Sequence, residues 1–168
     1  PAGAGEKAAG PLSLLTTAAA VHQLSREEAE RGYPAHLRGV VTCLLPERSA
    51  FTLQDGTRGL YVVDFTRAAP PEIGEWVEVR GTTDPGLFAP IVNASEVRSL
   101  GPGRLPEPVQ PTWDQLLNGS LDAQYVQLQG IVTAVQSNSL TLRTRHGRIR
   151  MELRLNSPRA EALERYED

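Results

Sequence analysis

The sequence has almost no cysteine and no long apolar run, so it lacks the features of disulfide-stabilised and membrane-spanning proteins. It holds one cysteine, Cys43, in 168 residues, and this excludes an intrachain disulfide. Because Cys43 follows Val40 and Val41 in an apolar strand pattern, we interpret it as a buried structural thiol rather than a nucleophile. No apolar run approaches the roughly 18 residues of a membrane-spanning helix.

Sequence signals for catalysis, cofactors and metals are also missing. The three histidines, His22, His36 and His146, lie in separate segments without the local spacing of a metal site. No serine stands in a nucleophile-elbow context, and residues 101–103 lack the Lys and Ser/Thr of a phosphate-binding loop. The net charge of −3 gives no overall attraction to nucleic acid or to an anionic membrane. We therefore predict a non-enzymatic chain with no catalytic residue, cofactor or metal.

The sequence is rich in turn-forming residues, and it repeats itself. Its 15 glycines and 13 prolines suit short strands joined by many turns. Residues 36–42 (HLRGVVT) are echoed by residues 127–133 (QLQGIVT), and each copy leads through a polar turn into a second alternating run, at residues 51–56 and 140–144. The repeat predicts two copies of one small β module.

The strand plan predicts a mainly β chain of tandem OB-fold-like modules. In the first module, residues 35–100, five short strands are expected, and Gly39 would let the first strand bend across a five-stranded barrel. The second module, in residues 112–168, is predicted to be a helix and a partial barrel, because no strands are visible after Leu155. Either a C-terminal helix at residues 160–166 covers an open sheet, or the completing strands lie farther along a longer chain.

The remaining segments divide the chain. Residues 1–13 are predicted to be a disordered linker, residues 14–34 short helices that dock on the first module, and residues 101–111 a proline-rich connector. Pairs with capping-box spacing predict a helix start before each module: Ser25–Glu28 and Thr112–Gln115. Because the chain begins at Pro1 and its only methionine is Met151, we expect it to be part of a longer protein.

Several short segments carry a family resemblance: Leu15–Thr17, Leu24–Ala29, Gly32–Pro34, Leu37–Thr42, Phe51–Asp55, Gly59–Val62, Val77–Gly81 and Phe88–Val92. Over about residues 14–155 the chain resembles the extracytoplasmic region at the N-terminus of many bacterial hybrid sensor histidine kinases and related two-component regulators. The resemblance implies a periplasmic sensor region in a membrane-anchored parent. It supplies no ligand residues, and the kinase's phospho-accepting histidine and ATP-binding motifs have no counterpart here.

The second hairpin carries a local excess of positive charge. Between residues 140 and 155, only Glu152 opposes five arginines: Arg143, Arg145, Arg148, Arg150 and Arg154. Arg148, Arg150 and Arg154 share one strand face by parity, so this candidate binding face could take an anionic ligand or a phosphate backbone. A solvated or protein-contacting face is the other interpretation, because charged side chains protect sheet edges and this hairpin has no aromatic stacking platform.

Three aromatic residues form a second candidate site. Tyr61, Phe65 and Phe88 flank turns of the first module and could line a groove. We favour the alternative that they fill the open ends of the barrel, because small barrels need large side chains there.

The expected function is a non-catalytic sensor region that binds a small ligand or a protein partner, with membrane contact only through other parts of the parent. Binding would change the packing of the two modules about the connector at residues 101–111, and this would bias the parent's signalling element. One rival is an OB-fold nucleic-acid-binding protein that uses the arginine-rich hairpin at residues 143–154. Another is a structural spacer or homodimerisation module.

Overall fold

The computed structural model describes residues 12–64, 70–136 and 138–153, and the chain divides into two compact units. Unit 1 is Pro1–Pro108 with Leu121–Tyr125, and unit 2 is Val109–Ser120 with Val126–Asp168. The helices and strands of unit 1 are α1 (Ala18–His22), α2 (Arg26–Glu30), β1 (Pro34–Leu45), β2 (Ala50–Gln54), β3 (Gly59–Asp64), β4 (Glu75–Asp84) and β5 (Ile91–Pro102). Those of unit 2 are α3 (Trp113–Leu117), β6 (Ile131–Gln136), β7 (Ser139–Arg143) and β8 (Arg148–Glu152).

Unit 1 is an OB-like closed barrel with the strand order β1-β2-β3-β5-β4. Only β3 and β5 pair in parallel, and the other neighbours are antiparallel. β1 belongs to both halves of the barrel, because Pro34–Val40 pairs with β4 and Val40–Leu45 pairs with β2. A bulge between Val41 and Cys43 bends the strand close to Gly39. The predicted OB plan and the bulge near this glycine are confirmed.

The barrel core consists of apolar side chains from all five strands and from α1. Leu37, Leu53 and Val79 are fully buried, and each side chain of this size contributes about 1.5–3 kcal/mol relative to an exposed position. α1 closes one end of the barrel with Ala18 and Val21, which are also fully buried. The end is therefore filled by a helix that the sequence places before the first strand.

Capping geometry explains where the short helices begin. Ser25 and Glu28 form the predicted capping box of α2, and Thr112 and Gln115 form that of α3. Thr17 caps α1 through a hydrogen bond from the Ala20 amide. None of the helices in the described residues is long and apolar enough to cross a membrane.

Unit 2 contains a three-stranded antiparallel sheet with the order β6-β7-β8. A complete second barrel is not confirmed, because these are the only strands of unit 2 in the described part of the chain. The predicted C-terminal helix at residues 160–166 and most of the linker at residues 1–13 lie outside the described residues. In unit 1, β5 extends to Pro102, two residues into the predicted connector.

One further prediction needs correction. Cys43 is half-buried rather than buried, and its Sγ lies 3.6 Å from the carbonyl oxygen of Leu44. The bulge after Val41 accounts for this, because the added residue shifts the inward and outward alternation that the sequence pattern assumed. Val40 and Val41 are both buried although they are adjacent; Val41 belongs to the barrel core, whereas Val40 lies next to Gly103.

Candidate functional site: the cleft of unit 2

The predicted arginine face divides into two parts. Arg143 and Arg148 face each other across β7 and β8, and Arg150 lies opposite Thr141 on the same exposed face. The Arg150 guanidinium donates a hydrogen bond to Oε1 of Gln136 at 3.3 Å. Arg145 lies in the turn between the strands. Arg154 lies outside the described residues, so the described part of the row consists of a strand face and a turn.

The opposite face of this sheet is apolar. Leu140 and Leu142 are each 7% exposed. Ile149 and Met151 pair with them across the β7–β8 ladder and are half-buried. The inner face of unit 2 is therefore less well covered than the core of unit 1.

α3 lies beside the β7–β8 turn. The indole of Trp113 stacks on the imidazole of His146, with ring centroids 6.2 Å apart and an angle of 27° between the planes. Gly147 is tightly placed against the same indole, since a Cβ on this glycine would lie 2.5 Å from Trp113 Cζ2. The contact holds the helix against the turn.

A wide cleft of about 1420 Å³ opens between α3, the segment before β6 and the β7–β8 turn. Its apolar lining comes from Trp113, Leu116, Leu128, Ile131 and Ile149. Arg143, Arg145 and Asp114 supply charge to the lining. The sequence prediction identified the two arginines, but Trp113, Leu116 and Leu128 were missed because they are distant in sequence from the hairpin.

The three strands of unit 2 repeat the first three strands of unit 1 in identical register. Val41 pairs with Leu53 and Val132 with Leu142, and in both units the ladder then shifts by one residue at a bulge. The following hairpin of unit 1 pairs residues from Ala50↔Val63 to Gln54↔Gly59. The hairpin of unit 2 pairs the corresponding residues, from Ser139↔Glu152 to Arg143↔Arg148. The sequence repeat is thus a repeated three-stranded meander.

The turn after the second strand of each meander is also repeated. Oδ1 of Asp55 accepts hydrogen bonds from the amides of Thr57 and Arg58, at 2.7 and 3.0 Å. In unit 2, Oγ1 of Thr144 accepts the equivalent bonds from the amides of His146 and Gly147, both at 3.2 Å. α1 and α3 each lie beside this turn, so α3 corresponds to α1.

In the described residues, the correspondence between the units ends after the three strands of the meander. In unit 1, β4 and β5 supply Val77, Val79 and Val92 to the core opposite the meander. The described residues of unit 2 include no strand in those positions. The cleft of unit 2 is lined by residues 127–131, which correspond to the part of β1 that pairs with β4 in unit 1.

The aromatic candidates do not form a groove in the described residues. Tyr61 is half-buried on β3 opposite Thr52, and Phe65 lies outside the described residues. Phe88 is 73% exposed at the tip of the β4–β5 loop, next to the fully exposed Leu87. The prediction that Phe88 fills a barrel end is wrong, because most of this residue is exposed to solvent.

A charged cluster on the outside of the barrel was not predicted. The Glu78 side chain is 5% exposed, and Arg38 and Arg98 donate hydrogen bonds to its two oxygens. Nε2 of His36 lies 3.0 Å from Oε1, although it is not aligned for a good hydrogen bond. His36, Arg38 and Arg98 together lower the pKa of Glu78 to about 2. The four residues come from three strands, so their proximity depends on the barrel topology.

No group of three or more His, Cys, Asp or Glu side chains in the described residues is arranged to hold a metal ion. His36 and Glu78 lie together with the guanidinium groups of Arg38 and Arg98. An excess of guanidinium groups at this position disfavours a cation.

Comparison with known proteins gives likenesses of fold. No protein-family model matches the chain, and no curated protein matches it. Among solved structures, the chain is similar to the E. coli protein ygiW, with 17% identity over 55% of this chain and 100% of that chain, at a TM-score of 0.43. It is also similar to the S. pombe Stn1–Ten1 complex (15% identity, 53% of this chain, 76% of that chain, TM-score 0.40) and to the S. pombe telomere capping protein Ten1 (16%, 52%, 80% and 0.37). Likenesses of this size carry no statement about a ligand or partner of this chain.

Proposed function

We propose that this chain is a non-catalytic binding region of a bacterial two-component signalling protein, that it lies outside the cytoplasm, and that it recognises a protein partner through the cleft of unit 2. The cleft is the observation that carries this proposal. Its apolar lining, with Trp113 and Leu116 on one wall and Leu128 and Ile149 among the others, is typical of a site that a partner covers.

A protein partner fits the cleft better than a small molecule. Drug-sized sites have volumes of about 300–1,000 Å³ and enclose most of the ligand. The cleft of unit 2 is larger, at about 1420 Å³, and its lining includes Ile131, which is 71% exposed. Trp113 and the arginines Arg143 and Arg145 are residue types enriched at protein interfaces.

Signalling by the parent protein tests the binding role. Trp113→Ala removes the aromatic wall of the cleft, so it should change phosphorylation of the parent's response regulator. Leu87→Ser alters an exposed apolar residue of unit 1 and is the matched control, for which no change is expected. Equal signalling by wild type and Trp113→Ala would count against the cleft.

The compartment needs a separate test. Alkaline phosphatase fused after Asp168, in the natural gene context, should be active, because the enzyme needs an oxidising compartment for its disulfides. An inactive fusion, together with an active cytoplasmic reporter at the same position, would reject the extracytoplasmic location.

Nucleic-acid binding is a second candidate, favoured by one observation. Arg143, Arg148 and Arg150 share an exposed sheet face, where they could contact successive phosphates. Titration with a single-stranded oligonucleotide at two salt concentrations distinguishes this function. Affinity that falls steeply with salt, with a slope reduced by about one in Arg148→Gln, would support it. Salt-independent or absent binding would reject it.

A further inference from the structure

In the described part of unit 2, no strand pairs with residues 126–131, the segment that leads into β6, on the side away from Val109 and β7. In unit 1 the corresponding edge is covered, since Pro34–Val40 pairs with β4 in antiparallel register. The backbone alternation is the same in both units. Leu15 accepts a hydrogen bond from the His36 amide, and Val109 accepts one from the Gln127 amide at 2.9 Å.

This alternation identifies the backbone groups at the open edge. In an extended chain, N–H and C=O groups of successive residues point to opposite sides. Because the Gln127 amide points to Val109, the groups of Val126, Leu128 and Gly130 point the other way. Their counterparts in unit 1, Ala35, Leu37 and Gly39, pair with residues of β4.

The sequence of this edge lacks the usual protection. Natural edge strands carry lysine, other charges or proline, which prevent pairing with another chain. From Val126 to Leu142 there is no charged residue and no proline. Ile131 and Val132 are nevertheless 71% and 40% exposed at the start of β6. An exposed, uncharged and β-branched edge is suited to pairing.

We propose that unit 2 binds an extended strand of a partner polypeptide, antiparallel along the open edge of residues 126–131, with the partner's alternate apolar side chains inserted into the cleft. The inference rests on the proposed function, whose partner it defines chemically. β4 shows the required pattern. Val77, Val79 and Thr83 point into the barrel, and Glu78 and Arg80 point outward. Backbone pairing supplies affinity and the alternate pockets supply specificity.

The test uses the full chain and a synthetic peptide with the β4 sequence, Glu75–Asp84, as the probe. We expect saturable chemical-shift changes in unit 2 amides and slower hydrogen exchange at Leu128 and Gly130. When 90% of the chain has bound peptide, exchange at these two amides should be about tenfold slower, because only the free chain exchanges. The same peptide with Val79→Pro lacks one backbone donor and should bind at least about tenfold more weakly.

Two variants of the chain test where the peptide binds. Leu128→Lys puts a charge at the cleft wall, and Ile131→Lys adds an edge-protecting charge at a residue that is already 71% exposed, so folding is retained. Both should abolish binding. Leu117→Lys, at a residue of α3 that is 69% exposed and does not line the cleft, is the matched control and should bind like wild type.

Three results would overturn the inference. The first is no saturable binding of the β4 peptide at millimolar concentration. The second is unchanged binding by both Leu128→Lys and Ile131→Lys. The third is protection of the Leu128 and Gly130 amides from hydrogen exchange without peptide, because a second copy or another segment of this chain then occupies the edge. If this protection increases with protein concentration, the occupant is a second copy. If Trp113→Ala impairs signalling but the wild-type chain does not bind the peptide, the proposed function stands and the inference of strand binding is rejected.

Discussion

Gly39 in unit 1 and Gly130 in unit 2 occupy the same position of the repeated meander, each pressed against a carbonyl of the next strand. A Cβ on Gly39 would lie 2.6 Å from the carbonyl oxygen of Gln54, and a Cβ on Gly130 would lie 2.5 Å from that of Arg143. Backbone atoms cannot move aside as a flexible side chain can. Both positions therefore require glycine for close strand approach, just before the bulge that bends the first strand.

Alanine at either glycine should destabilise the unit that contains it. Gly39→Ala and Gly130→Ala should each cost about 1–3 kcal/mol, the usual range for overpacking in a tight site. Denaturant unfolding followed by amide signals of each unit measures the effect. Gly56→Ala is the control, because a Cβ there meets nothing within 4 Å. A loss in Gly56→Ala equal to that in Gly39→Ala would show that glycine's flexibility, not close approach, is responsible.

The sequence predicted local features better than distant ones. The capping boxes, the glycine-associated bulge and the strand plan follow from neighbouring residues, and these predictions are confirmed. The Glu78 cluster was not predictable, because His36, Arg38 and Arg98 reach it only through the order of β1, β4 and β5. The hairpin arginines were identified by composition, but the cleft wall at Trp113 depends on how α3 packs.

Glu78 should make stability depend on pH below neutrality. The pKa of this carboxyl is about 2 in the folded chain, against an ordinary value of 4.5. Its folded pKa is depressed, so the stabilisation is present above about pH 4.5 and is lost as the pH falls toward 2. Urea midpoints measured between pH 7 and pH 2 should fall more steeply for wild type than for Glu78→Gln.

At pH 7, Glu78→Gln should be less stable than wild type, because the arginines lose the charge that they surround. Glu96→Gln is the matched control on the same barrel, since Glu96 is 60% exposed and lies 3.9 Å from Arg80. Its effect should be close to zero. Parallel pH profiles for wild type and Glu78→Gln would contradict the role of the cluster.

Asp55 should stabilise both a turn and a helix. Partial burial raises the pKa of Asp55, but hydrogen bonds from Thr57, Ala18 and Arg58 outweigh this and lower it. Oδ2 accepts the Ala18 amide at 2.8 Å, at the beginning of α1. Asp55→Ala should therefore cost about 1–2 kcal/mol, as for the loss of a helix N-cap.

Asp55→Thr separates the two roles. Thr144 makes the equivalent turn in unit 2 with its hydroxyl, so threonine at position 55 should keep the turn and lose only the bond to Ala18. Its free energy of unfolding should lie between those of wild type and Asp55→Ala. Hydrogen exchange at the α1 amides gives the separate readout, and faster exchange is expected in both variants. Unchanged exchange in Asp55→Ala would reject the capping role.

Phe88 should contribute little to stability, whereas Val21 should contribute much. Phe88 is 73% exposed on the β4–β5 loop, and Val21 is fully buried where α1 closes the barrel. Phe88→Ala should change the free energy of unfolding by no more than about 0.5 kcal/mol, the usual range for an exposed site. Val21→Ala should cost about 1.5–3 kcal/mol through lost burial. Thermal and urea unfolding of both variants provide the measurement. A larger loss for Phe88→Ala than for Val21→Ala would mean that the loop, and not the helix, closes the barrel.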